Sequence, residues 1–242
     1  VNENIKTMKV LVWRGSGDQG EYQTFSVPAQ DNQTVLDVVS WIQQTVDPSL
    51  TYRYACRVGM CGSCAMMVNG QPRWTCRTHV KRVLTDGSLQ IGPLRNLPVI
   101  KDLAADMDPF FDKWIKAGGV HKPSRSRAEP IQEVSPEEPG RVVANKSIEC
   151  INCSVCYSAC DTVSNNPDYL GPAALQRAWT LYNDVKIEDR QVVLDTVSGS
   201  GGCLNCHSQG SCTNFCPNGL DPLGAIAGLK RATARSFLKG RG

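Results

Sequence analysis

The twelve cysteines of this 242-residue chain fall into groups whose spacing suits iron and sulfide. From Cys150 to Cys160 the chain reads Cys-Ile-Asn-Cys-Ser-Val-Cys-Tyr-Ser-Ala-Cys, the C-x2-C-x2-C-x3-C spacing of a bacterial ferredoxin loop. Three thiolates on such a loop grip three corners of a cubane, while the fourth, a helical turn on, reaches the other cluster of a two-cluster protein. A second run must then follow downstream. Cys206, Gln209, Cys212 and Cys216, with Pro217 after them, repeat the spacing with glutamine in place of the second cysteine. The crossed-ligand rule joins Cys150, Cys153 and Cys156 to Cys216 around a 4Fe-4S cluster, and joins Cys160 to Cys206 and Cys212 around a second one. A cubane short of one thiolate tends to lose that iron, so the second centre is expected to be 3Fe-4S. Cys203 lies outside the pattern as a free buried thiol, a bystander or a fourth ligand. Free cysteine is among the most buried residue types, which favours the first.

Upstream, Cys56, Cys61 and Cys64 followed by Cys76 have the spacing of a plant-type 2Fe-2S ferredoxin. Gly59 and Gly62 permit the close backbone folding that turns N–H groups toward sulfur. A four-cysteine zinc knot is the alternative, disfavoured because structural zinc sites usually use two C-x2-C hooks and here one is opened to x4. Arg57 and Arg77 either offset cluster charge or are simply solvated. Three centres of different type make an electron wire. No constellation for nucleophilic or acid–base chemistry accompanies them, and no Rossmann or P-loop fingerprint is present. A flavin or nucleotide is therefore expected on another chain.

Composition narrows the class. Clustered cysteines argue for metal over disulfides and for a reducing compartment. The polar opening stretch lacks the pattern of a signal peptide, and no run approaches the roughly 18 apolar residues of a membrane span. Net charge of +3 with three histidines carries no nucleic-acid footprint. The locally basic end, with Lys230, Arg231, Arg235, Lys239 and Arg241, reads as a solvated helix terminus, with phospholipid head groups or an acidic partner as the alternative.

These groups need elements to hold them. Lys9 to Trp13 and Tyr22 to Val27 read as strands of a hairpin. Thr34 and Asp37 resemble a capping box opening a helix, whose Val35, Val39, Ile42 and Val46 share a face until Pro48. Ala65 to Val68 and Gln71 to Thr75 flank Asn69-Gly70, the pair suited to a type I′ turn, and a short strand is expected at Ser88 to Ile91. Asp108 to Lys116 is helical in pattern. The Gly- and Pro-rich stretch from Gly118 to Gly140 reads as a connector. Beyond it, helices are expected from Pro172, with Leu175, Ala178, Trp179 and Tyr182 on one face, and over Asp221 to Leu238. The expected fold is α+β, an N-terminal β-grasp 2Fe-2S ferredoxin domain followed by an α-helical bacterial-ferredoxin-like domain. The boundaries expected are residues 1–107, a junction helix and connector over 108–140, and 141–242 with the 4Fe-4S and 3Fe-4S clusters.

Together these stretches resemble the iron-sulfur subunit of the succinate dehydrogenase and fumarate reductase family. The resemblance rests on Ala-Cys56-Arg-Val-Gly-Met-Cys61-Gly-Ser-Cys64-Ala-Met-Met-Val-Asn-Gly, on Lys101-Asp-Leu-Ala-Ala-Asp-Met-Asp-Pro-Phe-Phe, and on the Cys150 loop. Asn166-Pro167 with Gly171-Pro172-Ala-Ala, and Cys212-x3-Cys216-Pro217, complete it. It implies a 2Fe-2S domain near a flavoprotein subunit that holds covalent FAD and interconverts succinate and fumarate. It also implies a 3Fe-4S end, held by Cys160, Cys206 and Cys212, facing a quinone bound with membrane-anchor subunits. The implied location is peripheral, on the cytoplasmic face of a bacterial inner membrane.

Two departures fall near the implied quinone. Family members commonly have proline after the last cysteine of the first loop, where this chain has Asp161. Ubiquinone-reducing members place tryptophan before Asn-Pro, where this chain has Asn165. His207 matches a quinone-proximal histidine of some members, against the plainer reading of a hydrogen-bonded loop histidine. The missing tryptophan leans the reading toward menaquinone or the fumarate-reducing direction. An electron-transfer module of another complex, such as a heterodisulfide-reductase-type enzyme, is the competing class.

Overall fold

The computed structural model describes residues 7–240. Most of the opening segment read for a leader, and Arg241 of the basic run, lie outside them. Chain contacts divide the protein into two units: residues 1–107 with 151–159, and residues 108–150 with 160–242. The sequence places boundaries at 107 and 140. The structure instead returns the middle of the Cys150 loop to the first unit.

In the first unit, β1 (Thr7–Ser16) and β2 (Gln19–Pro28) form the expected hairpin, paired antiparallel from Thr7 opposite Pro28 to Ser16 opposite Gln19. Met8, Val10 and Val12 alternate inward along β1, as a strand with one buried face requires. Helix α1 (Val35–Trp41) opens on the anticipated capping box: Asp37 N–H donates to Thr34 Oγ1 at 3.2 Å and Thr34 N–H to Asp37 Oδ2 at 2.9 Å. It then widens into a π-helical turn over Ile42–Val46. That extra turn rotates the chain, so Val46 is 51% exposed instead of sharing the buried face of Val35, Val39 and Ile42. Strands β3 (Ala65–Val68) and β4 (Gln71–Trp74) flank Asn69 and Gly70, both with positive φ, the type I′ signature. A short helix α2 (Val80–Val83) precedes β5 (Ser88–Gly92), which pairs parallel with β1 and antiparallel with β3. The sheet order is β2-β1-β5-β3-β4. Val35, Val38, Val39 and Ile42 pack on its inner face against Val10, Val12, Leu89 and Ile91, the arrangement expected of a β-grasp domain.

The small ladder of β6 (Val99–Lys101) and β7 (Ala104–Ala105) was not legible in the sequence. Between its strands sits Asp102, 2% exposed, accepting from Arg14 Nε at 3.0 Å, Gly15 N–H at 3.1 Å and Thr51 N–H at 2.9 Å. This one carboxylate ties the first hairpin to the segment leading into the Cys56 loop.

The second unit is helical. Helix α3 (Asp108–Lys116) forms as expected, but the connector ends earlier than Gly140, because Pro139 opens α4 (Pro139–Ile148) with Glu138 accepting from Arg141 N–H. The first unit's α5 (Val155–Ser158) and the second's α6 (Asp161–Asn165) follow on the Cys150 loop. Helix α7 (Pro172–Asn183) is the hub: α3, α4, α8 (Arg190–Ser198) and α10 (Pro222–Leu238) of the same unit pack on it. Proline at the first helical position starts α7, as predicted, and α10 as well. Helix α8 was missed, since its apolar positions Val193, Leu194 and Val197 are few and set among polar residues. The short α9 (Ser211–Asn214) carries Cys212. Among the described residues no helix is long and apolar enough to cross a membrane.

Candidate metal centres

The first unit brings Cys56, Cys61, Cys64 and Cys76 together on the loop between α1 and β3 and on the turn after β4. Arg57, Gly59 and Gly62 all take positive φ, and this winds the loop tightly enough that main-chain N–H groups face sulfur. Cys56 Sγ accepts from Met60 N–H at 3.2 Å and from Cys61 N–H at 3.3 Å. The Ser63 hydroxyl lies 3.0 Å from Cys61 Sγ, and this contact leads the effects that hold the Cys61 pKa at about 6. Burial, then the adjacent Cys64 thiol, pushes Cys76 up to about 12, with the Gly59 N–H opposing. The thiols thus meet in two pairs, Cys56 with Cys61 and Cys64 with Cys76. Two pairs suit a two-iron cluster, in which each iron takes two thiolates. Gly62 also presses on Cys153 of the same unit: a Cβ on it would lie 2.4 Å from Cys153 Cβ. Arg57 stacks over Tyr54, 4.8 Å from the ring centroid.

In the second unit, Cys160, Cys206 and Cys212 line one small cavity with Tyr169, His207 and Gln209. Cys160 caps α6, Cys212 lies in α9, and Cys206 ends a short helical turn over Cys203–Asn205. Burial first, then Cys160, raises the Cys212 pKa to about 11. Ser208 N–H donates to Cys206 Sγ at 3.4 Å. Tyr169, fully buried, has a hydroxyl with no well-directed hydrogen-bond partner. An orphaned donor facing three thiols fits a site built for a group that carries acceptors of its own. Gln209 lines this cavity where the repeat would put a fourth cysteine.

Cys203 does not line it. Its side chain is fully buried, with Sγ 3.9 Å from Thr233 Oγ1 of α10, and burial pushes its pKa up. Of the three residues singled out near the implied quinone, only His207 lines the cavity, at its exposed rim; Asp161 and Asn165 are exposed on α6.

For the remaining set, Cys150 and Cys216 belong to the second unit and Cys153 and Cys156 to the first. Within the second unit, Asn218 Nδ2 donates to the Glu149 carbonyl at 2.7 Å, tying the segment after Cys216 to the one before Cys150. Sequence reasoning missed Arg177, half-buried beside Cys150 and stacked over Trp114 with 5.6 Å to the ring centroid. It also misread Lys230, which is no solvated helix end: Nζ donates to the Cys206 carbonyl at 2.6 Å.

Comparison with known proteins matches the chain in two stretches. Residues 7–112 match the family model for a 2Fe-2S iron-sulfur cluster binding domain, and residues 149–221 match that for a 4Fe-4S dicluster domain. The chain is 30% identical to the fumarate reductase iron-sulfur subunit of Haemophilus influenzae, over 98% of this chain and 96% of that one. It is 34% identical to the corresponding subunit of Mycobacterium tuberculosis, over 90% and 88%. Against the mitochondrial succinate dehydrogenase [ubiquinone] iron-sulfur subunit 1 of Oryza sativa it is 32% identical, over 94% and 82%. A chain of the Mycobacterium smegmatis Sdh1 complex in the apo form superposes with a TM-score of 0.85 at 25% identity, covering 96% of this chain and 97% of that one. With cysteine pairs, helical hub and relatives in agreement over nearly its whole length, the chain belongs to the family of iron-sulfur subunits of fumarate reductase and succinate dehydrogenase.

Proposed function

We propose that this chain relays single electrons between the FAD of a partner flavoprotein and a quinone held with membrane-anchor subunits. Cys56, Cys61, Cys64 and Cys76 hold the 2Fe-2S cluster. Cys150, Cys153, Cys156 and Cys216 hold the 4Fe-4S cluster, and Cys160, Cys206 and Cys212 the 3Fe-4S cluster. The bound clusters supply the one-electron chemistry. The chain's own residues set the environment: N–H groups of Met60, Cys61, Gly59 and Ser208 face sulfur, and such hydrogen bonds favour the more charged state of the group they touch. The observation that supports the reading is the small cavity lined by Cys160, Cys206 and Cys212 together with Gln209.

The quinone is read as menaquinone, and the location as the cytoplasmic face of a bacterial inner membrane. Asn165, standing where ubiquinone-linked relatives have tryptophan, is the support for menaquinone. Asp161, Asn165 and His207 are assigned to the quinone-proximal surface.

The test is low-temperature paramagnetic resonance of the complex as purified, with iron and flavin contents measured alongside. A three-iron signal in the oxidised protein, with two-iron and four-iron signals on reduction and succinate-dependent dye reduction, is the expected result. Four-iron signals alone would move Cys203 into the ligand set and overturn the assignment. A complex lacking FAD would favour a heterodisulfide-reductase-type module instead.

A further inference from the structure

We propose that the Tyr169 hydroxyl donates a hydrogen bond to the sulfur of the group held by Cys160, Cys206 and Cys212 and thereby raises that group's reduction potential. The inference rests on the three-iron reading above and deepens it. Tyr169 is fully buried, and its hydroxyl approaches the Cys206 thiol without reaching good hydrogen-bond geometry to it or to any other described side chain. The residue lines the small cavity that Cys160, Cys206 and Cys212 share. Backbone bonds hold it there: Tyr169 N–H donates to the Asn166 carbonyl at 3.1 Å, and Leu170 N–H to the Gly201 carbonyl at 2.8 Å. Pro172 then begins α7 immediately after. A buried hydroxyl left unpaired is a cost that phenylalanine at this position would avoid. The site therefore makes physical sense when the hydroxyl meets an acceptor, and the sulfurs of a cluster are acceptors that gain negative charge on reduction.

The electron balance is simple. The three-iron group takes one electron from the neighbouring four-iron cluster, which is oxidised by one, while Tyr169 keeps its proton and no covalent bond changes. A donor aimed at sulfur stabilises the reduced, more negative state, and hydrogen bonds to sulfur are among the factors that set such potentials. Tyr169 is thus a positioning residue for electron transfer. It differs from Lys230, whose Nζ is engaged by the Cys206 carbonyl, and from His207 at the exposed rim.

The test is a redox titration of the three-iron paramagnetic signal in the intact complex, comparing wild type with Tyr169→Phe. At the potential where wild type is half-reduced, the variant's reduced-to-oxidised ratio should fall about tenfold, a shift of about 59 mV for a one-electron couple. Tyr182→Phe is the control, because Tyr182 stacks on Trp179, with ring centroids 5.5 Å apart, and leaves the midpoint unchanged. Should Tyr169→Phe lose the cluster, fluorotyrosine incorporated at position 169 keeps the question open to measurement: a more acidic phenol must raise the midpoint. Equal midpoints for wild type and Tyr169→Phe with the signal intact, or a fluorotyrosine protein with an unmoved midpoint, overturn the role of Tyr169 alone. Absence of a three-iron signal from the wild-type complex overturns the underlying reading and this proposal together.

Discussion

Gly62 makes contact between the 2Fe-2S loop and the Cys150 loop a steric matter, and Gly62→Ala tests it. The added Cβ would sit 2.4 Å from Cys153 Cβ and 2.8 Å from its Cα. Carbon atoms pack at about 3.5–4.0 Å, so the loops must part by roughly 1 Å or more. Overpacking of this kind costs about 1–3 kcal/mol. Alanine at φ +69 adds the left-handed backbone cost, about 1–2 kcal/mol. Gly70 supplies the control. Its φ is +76 with nothing within 4 Å of the added Cβ, so Gly70→Ala carries only the backbone cost. At about 2–4 °C per kcal/mol for a chain of this size, Gly62→Ala should melt about 2–12 °C below Gly70→Ala, followed by loss of cluster absorbance. It should also slow electron passage from the two-iron to the four-iron cluster, because the contact that sets their approach has widened. Equal melting temperatures for the two variants, with equal iron content, would refute the argument.

Removing the buried hub of the first unit in Asp102→Ala leaves the Arg14 guanidinium and two N–H groups without their shared acceptor. Arg14 keeps its ion pair with Asp47, so the loss is that of the buried N–H groups left unsatisfied, about 1–3 kcal/mol, read by thermal or denaturant unfolding, and a variant within experimental error of wild type would exclude it. Cys203→Ser should keep full iron content and the three-iron signal, since its Sγ faces Thr233 and not the cavity; a lost iron would make it a ligand. Gln209→Cys completes the thiolate set and should replace the three-iron signal of the oxidised protein with a four-iron signal on reduction. Hydrogen bonds from Ser49, then Arg14, hold Asp47 at about 2, below its ordinary 3.8. A depressed folded pKa gives stability that is whole above the ordinary value and fades as pH falls toward the folded one. The melting deficit of Asp47→Asn against wild type should therefore stay flat above pH 3.8 and narrow only toward about 2; narrowing near neutrality would count against the Arg14 link.

Much of this was legible because it is local. Ligand spacing, the Asn69-Gly70 turn, the Thr34–Asp37 box and the proline opening α7 each depend on residues a few positions apart, so sequence alone indicated the iron-sulfur domains, the hairpins and the main helices. What tertiary structure decided depends on residues far apart in the chain. Cys203 was separable from Cys206 only by seeing it buried against Thr233 of α10. The lysine read as a solvated helix end turns out to hold the Cys206 carbonyl. Val46 left the buried face because one π turn shifts the period of α1, which no apolar pattern announces. Tyr169 is an ordinary aromatic in the sequence; only the fold brings it to the cavity that Cys160, Cys206 and Cys212 line. Spacing along the chain nominates the ligands, while long-range packing decides which polar groups are buried beside them.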